Sequence, residues 1–196
     1  MYYFSYGSNM LLARLARKDR CPSAKPVGVA SVKGNKLVFQ KKSVDGSGKA
    51  TLVKSDDAES IIYGMVFKID EGELAALDFA EGEVAVGKSG YRRENKFEVL
   101  LIEGEEIIES ITYIASSCSI YEDLKPYYWY LELVKAGARQ NNLPNEYINK
   151  LEAIKSTTDI PFGNEKVERA LRGQKEALEV LAKIGFTVEK ENLLVR

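Results

Sequence analysis

The order of the predicted elements constrains the fold of this chain most strongly, because strands come first and helices follow. Runs of β-branched and aromatic residues predict strands up to about residue 116. The most continuous run, 61–69, is expected to lie centrally in its sheet. Helices are predicted at 126–141, 144–156 and 165–184. Segregated strands and helices indicate an α+β domain whose sheet is mostly antiparallel or closed into a small barrel.

Two neighbouring strands early in the chain are expected to pair directly. Residues 27–32 and 36–40 both have a strand-forming composition, and Lys33, Gly34 and Asn35 lie between them. A connection of this length with a central glycine is typical of a β-hairpin. We therefore predict an antiparallel hairpin at this point.

The beginning of the chain is a predicted strand that leads directly into a helix. Residues 2–6 are rich in aromatic side chains, and the strand breaks at Gly7. Ser8 or Asn9 can cap the helix predicted at 10–18. Free N–H groups at such a junction, together with the helix dipole, suit a carboxylate or an oxyanion. The alternative interpretation is a plain strand–turn–helix connection, for which this triplet is also typical.

The chain contains no histidine, and this absence narrows the possible chemistry. A general base must then be a carboxylate, a lysine, a tyrosine or a cysteine. A Ser-His-Asp triad and a histidine-based metal site are excluded. The two cysteines, Cys21 and Cys118, lie far apart and lack metal-ligand spacing. We therefore expect no metal, and cysteines that stay reduced.

Charge and hydropathy argue against two classes of partner. Lysine and arginine number 28 and aspartate and glutamate 29, which gives a formal net charge of −1. Neither nucleic acid nor an anionic membrane surface is therefore an expected partner. No apolar run reaches membrane-spanning length, and the N-terminus lacks a signal-peptide pattern. Together with the reduced cysteines, these features favour a cytoplasmic location.

Most acidic residues lie at predicted strand ends, in turns or on solvated helix faces, but one is placed differently. Glu81 follows an apolar helix face and precedes Gly82, so the helix is expected to end there with the Glu81 side chain turned inward. Beside Phe79 and several tyrosines this carboxylate would be partly withdrawn from water, which suits a general base. The alternative is an exposed glutamate at a glycine-capped helix end.

Three stretches, in this order along the chain, carry a resemblance to a known family. The first, 3–10, reads Tyr-Phe-Ser-Tyr-Gly-Ser-Asn-Met, and the second, 77–82, reads Leu-Asp-Phe-Ala-Glu-Gly. The third comprises 137–147 and 150–154 in the late helical part. They resemble the substrate loop, the segment with the catalytic glutamate and the late helical segment of the gamma-glutamylcyclotransferase family. The resemblance covers roughly residues 2–160.

The resemblance implies a fold, a reaction and a set of residue roles. The fold is a small closed or nearly closed mixed β-barrel flanked by helices. The reaction cyclises a γ-glutamyl group to 5-oxoproline and releases the attached amine, with no metal or organic cofactor. Glu81 matches the acid/base of the family. The residues that match substrate-binding positions are Tyr3, Phe4, Ser5, Tyr6, Gly7, Ser8, Asn9, Tyr91, Tyr113 and Tyr130.

Some segments depart from the family pattern. The loops at 83–90 and 116–125 are longer than expected, and Tyr127 stands where the family often has a serine. Because both loops border the expected pocket, they bear on substrate choice more than on reaction type. Residues 165–196 have no match. Their apolar positions recur at helical spacing, which predicts a helical extension to a domain of residues 1–164, packed on that domain or on the partner subunit of a homodimer.

Two other functions remain open at this point. One is a cyclotransferase of the same fold that acts on γ-glutamylamines or on a carrier-bound γ-glutamyl chain. The other is a non-enzymatic module that binds a small ligand in the same pocket. The presence of Glu81 disfavours the second, because a pure binding protein needs no base there.

Overall fold

The computed structural model describes residues 1–85, 88–160 and 163–194. Its strands are β1 (Tyr2–Ser5), β2 (Lys25–Lys33), β3 (Asn35–Lys42), β4 (Gly48–Lys54), β5 (Ile61–Lys68), β6 (Tyr91–Leu101) and β7 (Ile107–Ala115). Its α-helices are α1 (Leu12–Leu15), α2 (Leu74–Glu81), α3 (Tyr128–Gln140), α4 (Asn145–Glu152) and α5 (Asn164–Lys183). None of the helices in the described ranges has the length and hydropathy needed to cross a bilayer.

The centre of the molecule is a closed barrel with the strand order β1-β5-β2-β6-β7. Neighbouring strands are antiparallel, except that β7 closes the barrel on β1 in parallel, with Tyr3 opposite Ile111. Strand β5 pairs with β1 and β2, and because a closed barrel has no edge strands, the predicted central position of residues 61–69 does not distinguish β5 from the other barrel strands. Closure satisfies the backbone groups that an open sheet would leave unpaired at its edges. The predicted α+β fold with a mixed barrel and flanking helices is therefore confirmed.

The predicted hairpin between β2 and β3 is wrong. Strand β2 pairs with β5 and β6, whereas β3 pairs with β4 in a separate two-stranded sheet. At the turn, Gly34 has a φ of +68°, its N–H donates to Ser60 O (2.8 Å) and its carbonyl accepts from Ser55 N–H (3.1 Å). The turn therefore bonds to the connection between β4 and β5, and the two strands leave it towards different sheets.

The barrel brings β1 close to β5 at a glycine, and this contact positions the segment that follows β1. An added Cβ at Gly64 in β5 would lie 2.4 Å from Ser5 O and 2.7 Å from the Phe4 ring. No side chain larger than hydrogen fits between these strands without displacing one of them. The end of β1 is thus fixed against the barrel wall.

The C-terminal helix α5 packs on α3 of the same chain. Ala170 and Ala177 are fully buried, and an added Cβ at Gly173 would lie 2.8 Å from the Trp129 ring. The Gln174 side chain forms two hydrogen bonds with the backbone of the last described residue, Leu194 (2.7 and 3.1 Å). The extension therefore contacts the rest of its own chain. Its status as a separate unit and its contact with a partner subunit stay predictions.

Candidate active site

A narrow pocket opens where the end of β1, the loop after it and the end of α2 meet. It has about 310 Å³ of empty space up to its mouth, part of which is open to solvent. It is lined by Tyr3, Ser5, Tyr6, Gly7, Ser8, Asn9, Ala50, Glu81, Tyr91, Thr112, Tyr113 and Tyr130. A pocket of this size suits a small polar head group.

Among the residues that the structure describes, Glu81 is the one acidic residue that lines this pocket. It ends α2, and Gly82 follows at a φ of +66°, so the helix ends where the sequence predicts. Its Oε1 accepts hydrogen bonds from Asn9 Nδ2 (2.7 Å) and Arg20 Nη1 (3.0 Å). Its Oε2 accepts none from the residues that the structure describes. The carboxylate is thus held by one oxygen, and the other is available to a ligand.

One of the residues expected to keep water from Glu81 does not do so, although several tyrosines line the pocket beside it as expected. Phe79 is 89% exposed, so the expectation that it shields Glu81 is wrong. The two residues are two positions apart in a helix, and side chains at that spacing point in different directions. Arg20, whose side chain is 11% exposed, covers the carboxylate instead, and the Glu81 side chain is 18% exposed.

The segment after β1 is less helical than the sequence predicts. Ser8–Met10 forms a 3₁₀ helix and the α-helix is limited to Leu12–Leu15, and neither has a side-chain cap. Asn9 does not act as the predicted cap: its Oδ1 accepts from Arg20 Nη1 (3.4 Å), and its amide nitrogen donates to the Tyr3 hydroxyl (3.2 Å) and to Glu81. A polar side chain that could have capped a helix therefore connects the loop to the candidate base.

Backbone N–H groups in this loop are available to a ligand. The N–H groups of Gly7, Ser8 and Asn9 donate to no other residue in the described ranges, whereas Met10 N–H donates to Gly7 O (3.0 Å). All three residues line the pocket. Buried N–H groups are usually hydrogen-bonded, so unused donors at a pocket wall suit an anion or the oxygen of a polarised carbonyl.

Tyrosine hydroxyls around the pocket are held by the protein itself. The Tyr91 hydroxyl donates to Ala50 O (2.6 Å), and Ala50 N–H donates to the Tyr130 hydroxyl (3.2 Å). The Tyr113 hydroxyl donates to Asp78 Oδ1 (2.6 Å). Burial raises the pKa of Tyr130 to about 12 and raises the pKa values of Tyr91 and Tyr113 well above the ordinary tyrosine value. These walls are therefore uncharged at neutral pH and shape the pocket without adding charge.

Phe4 is the predicted site residue whose side chain does not line the pocket. Successive side chains of a strand point to opposite faces, so Phe4 points away from Tyr3 and Ser5. Its ring is fully buried and stacks on Phe97 with the ring centroids 6.0 Å apart. The Phe4 side chain thus has a packing role in place of the expected substrate contact. The other predicted site residues line the pocket together, and their contacts with substrate stay predictions.

Two polar residues of the site were missed by sequence reasoning. Arg20 bonds to Glu81 and, more weakly, to Asn9 Oδ1 (3.4 Å). It lies in a polar segment 61 positions from Glu81, and no local pattern links the two. Asp78 accepts from Tyr113 and pairs with Arg93. Asp78 lies one helical turn before Glu81, so both carboxylates lie on neighbouring parts of the helix surface. This spacing is a sequence signal that could have identified Asp78 as a site residue.

Tyr127 and the described residues of the two longer loops lie outside the lining of this pocket. Tyr127 is fully buried, and its hydroxyl donates to Asp45 O (2.9 Å). The loops contact each other, since Gly90 N–H donates to Ser119 Oγ (2.6 Å). Residues 86 and 87 of the first loop lie outside the described ranges. The expectation that these loops border the pocket is not met by their described residues.

The site combines one carboxylate with unused N–H donors in an otherwise uncharged pocket. A carboxylate can accept a proton and return it, and N–H donors can stabilise charge on a carbonyl oxygen. Within the described ranges, no three carboxylate or cysteine side chains converge in a cluster that could hold a metal ion. The arrangement is suited to acid–base chemistry on a small carbonyl compound.

Sequence and structure comparisons relate the chain to named proteins. The sequence model of the AIG2-like family matches residues 61–151. A human protein named gamma-glutamylcyclotransferase is 32% identical over 182 residues, which cover 90% of each chain. A bovine protein of the same name is 34% identical over 157 residues, 78% of this chain and 77% of that one. A solved structure described as a gamma-glutamyl cyclotransferase has a TM-score of 0.70 at 29% identity and covers 88% of this chain and 98% of its own.

Proposed function

The chain belongs to the gamma-glutamylcyclotransferase family, and from this premise we propose that it cyclises γ-glutamyl amides to 5-oxoproline and releases the attached amine. The identity of 32% over 90% of both chains supports the reaction class. The observation that carries the proposal is the position of Glu81. It is the one carboxylate in the pocket lining, and its Oε2 has no partner among the described residues.

The first step of the proposed reaction is a proton transfer to Glu81. In water at neutral pH the α-amine of a γ-glutamyl group is protonated and cannot act as a nucleophile. Glu81 Oε2 takes this proton while Asn9 and Arg20 hold Oε1. The carboxyl group then gives the proton to the leaving nitrogen, so one residue serves as base and then as acid.

The second step closes a five-membered ring. The neutral α-nitrogen attacks the γ-carbonyl carbon and a C–N bond forms within the glutamyl group. The C–N bond to the leaving nitrogen breaks as Glu81 protonates that nitrogen, and Glu81 then takes the second proton of the new ring nitrogen and returns it to the released amine. Nucleophile and carbonyl belong to the same molecule, so the pocket gains most by holding the substrate in a folded conformation. The N–H groups of Gly7, Ser8 and Asn9 stabilise the negative charge that develops on the γ-carbonyl oxygen.

Release of 5-oxoproline from a panel of substrates tests the proposal. The purified protein is incubated with γ-glutamyl dipeptides, γ-glutamylamines and a γ-glutamyl group on an acyl-carrier conjugate, and 5-oxoproline is quantified by chromatography. We expect release from the dipeptides. Release from the amines or the carrier conjugate alone would identify a cyclotransferase of different specificity. No release from any compound, with binding retained, would identify a binding module.

The variant Glu81→Gln tests the role of the carboxylate. Glutamine keeps the size and the hydrogen bonds but cannot accept the proton, so we expect kcat to fall by about 10²–10⁴-fold with little change in substrate affinity. Glu83→Gln is the matched control, because Glu83 is exposed and lies just beyond the helix end. Near-normal 5-oxoproline production by a folded Glu81→Gln protein would remove Glu81 from the reaction. Because the chain has no histidine, it would also leave the proposed mechanism without a base.

A further inference from the structure

The pocket formed by the end of β1, the loop after it and the end of α2 is called the catalytic pocket below. A second cavity begins at Glu81 and continues away from the catalytic pocket to the protein surface. This outer cavity encloses about 830 Å³ of empty space up to its mouth and shares Ser8, Glu81, Tyr91 and Tyr130 with the catalytic pocket. Unlike the catalytic pocket, it has several cationic side chains in its lining. They are Arg14, Arg20, Lys41 and Lys49.

Two of these four cations are neutralised by carboxylates. Arg20 pairs with Glu81 at 3.0 Å, and Lys49 Nζ pairs with Asp45 Oδ2 at 2.8 Å. The Lys49 ammonium is further enclosed by aromatic rings, with the Trp129 ring centroid 4.5 Å away. The positive charges of Arg20 and Lys49 are therefore balanced within the protein.

The other two cations have no carboxylate partner in the part of the chain that the structure describes. The Arg14 side chain makes no hydrogen bond there, although its Nε is buried. Lys41 Nζ lies over the Tyr91 ring, 4.7 Å from its centroid, and forms no ion pair with a described residue. Burial lowers the pKa of Arg14 to about 10 and also lowers that of Lys41. Two cations that are partly removed from water without a counter-charge destabilise the empty protein.

The γ-glutamyl head does not need these two cations. Among the residues that the structure describes, no cationic side chain lines the catalytic pocket that would hold it. Its α-ammonium is satisfied by Glu81, and backbone N–H groups serve its oxygens. The leaving amine, in contrast, is released at Glu81, where the outer cavity begins. Arg14 and Lys41 therefore line the path of the leaving group.

We infer that Arg14 and Lys41 form a subsite for a leaving amine that carries two anionic groups, as an acidic amino acid does. The inference rests on the proposed function and names the preferred substrate class of the same enzyme. Each carboxylate of the leaving amine neutralises one of the two cations. The exposed Val44 side chain in the same lining can contact the methylene groups between the carboxylates.

The test compares two substrates of equal size that differ in one charge on the leaving amine. For the wild-type protein, kcat/KM is measured for γ-glutamyl-glutamate and for γ-glutamyl-glutamine. We expect a preference of about 10-fold to 100-fold for γ-glutamyl-glutamate, because a hydrogen bond to a charged group is worth about that factor. High salt is expected to weaken the preference, since the subsite is open to solvent.

Variants assign the preference to the two cations. Lys41→Met and Arg14→Gln should each lower kcat/KM for γ-glutamyl-glutamate towards the value for γ-glutamyl-glutamine. Lys36→Met is the matched control, because Lys36 is an exposed lysine on the same strand as Lys41 and outside the cavity lining, and it should keep the preference. Circular dichroism checks that each variant is folded.

Four results would overturn the inference. Equal kcat/KM for the two substrates in the wild-type protein would show that the cavity does not recognise the second charge, while the proposed function would stand. A preference that survives both Lys41→Met and Arg14→Gln would place the recognition elsewhere. Equal losses for both substrates in Arg14→Gln would assign that side chain to the glutamyl head. No 5-oxoproline from any γ-glutamyl compound would reject the proposed function and the subsite together.

Discussion

Asn9 lies in the loop after β1, and its side chain contacts the candidate base, Glu81. Its side-chain nitrogen donates to the Tyr3 hydroxyl and to Glu81 Oε1, so both amide protons are used. With Oε1 engaged by Asn9 and Arg20, the orientation of the carboxylate is fixed and Oε2 is left for the substrate. In the proposed mechanism Asn9 is a positioning residue that acts through Glu81.

Asn9→Ala is expected to lower kcat by up to about 100-fold, because a carboxylate that is free to rotate is misplaced relative to the α-ammonium. Affinity for the γ-glutamyl substrate should change less than kcat, since the backbone of the loop remains. Steady-state kinetics with a melting curve for each protein measure both effects. Asn149→Ala, at an exposed position of α4, is the control. Unchanged kcat in a folded Asn9→Ala protein would contradict the positioning role.

At the scale of secondary structure, α3 supports the loop that carries Asn9. An added Cβ at Gly137 of α3 would lie 2.8 Å from Met10 Cβ, at the end of the 3₁₀ helix. Asn141, just after α3, donates to Met10 O (3.0 Å) and to Gly137 O (2.7 Å). The close approach of the helix and this hydrogen bond fix the loop from behind, so the site depends on helix packing as well as on the barrel.

Gly137→Ala tests this support. The new methyl group must displace Met10 or α3, and overpacking of this kind typically costs about 1–3 kcal/mol, offset by up to about 1 kcal/mol from better helix propensity. We expect a lower melting temperature. We also expect kcat/KM to fall in the protein that remains folded, because the loop that carries Asn9 is displaced. Gly28→Ala is the control, because its Cβ would meet only Leu101 at an ordinary 3.4 Å. If kcat/KM were retained in Gly137→Ala, the loop would not depend on this contact.

Truncation after Asn164 tests the contribution of the C-terminal extension. Removal of α5 uncovers Trp129, the single tryptophan of the chain, and exposes the face of α3 on which Ala170 and Ala177 pack. We expect a lower melting temperature and a red shift of the tryptophan emission, with 5-oxoproline production retained in the protein that remains folded. Light scattering of both proteins tests the predicted homodimer. An unchanged melting curve with unchanged emission would show that the extension does not stabilise the domain.

At the scale of the whole molecule, buried tyrosines make the free energy of unfolding depend on pH in the alkaline range. Burial raises the pKa of Tyr130 to about 12 and that of Tyr6 and Tyr91 well above the ordinary value of about 10. A raised pKa in the folded state contributes stability that is fully present below about pH 10 and is lost as the pH rises through the folded value. For Tyr130 alone the contribution approaches about 3 kcal/mol.

We therefore expect the free energy of unfolding to fall steeply above about pH 10, because the unfolded chain releases the tyrosine protons first. Urea unfolding at a series of alkaline pH values measures the slope, and the ultraviolet absorbance of tyrosinate measures ionisation. Ionisation of the buried hydroxyls should coincide with the loss of circular dichroism. Tyr130→Phe should reduce the slope. Complete tyrosine ionisation in a protein that stays folded would contradict the burial of these hydroxyls.

Local chemistry in the sequence determined several features of the protein. Residues 107–115 form β7 as predicted, and α2 ends at Glu81 because Gly82 adopts a left-handed conformation that other residues rarely adopt. The lack of histidine limited the general base to a few residue types. The three family-like stretches predicted the barrel. Each of these features depends on a residue and its near neighbours, or on a motif that can be compared directly.

Only the tertiary structure decided how distant segments meet. The separate sheets of β2 and β3, the exposure of Phe79 and the pairing of Arg20 with Glu81 could not be derived from local pattern. The outer cavity, with two cations that have no carboxylate partner among the described residues, could not be derived from local pattern either. The sequence of a strand specifies which of its faces is apolar, but not which neighbouring strand completes its hydrogen bonds. A charged side chain is neutralised by the carboxylate that the closed barrel brings near it, and local sequence does not say which one that is. These outcomes follow from backbone pairing and packing over the whole chain, and so they became visible only in the folded molecule.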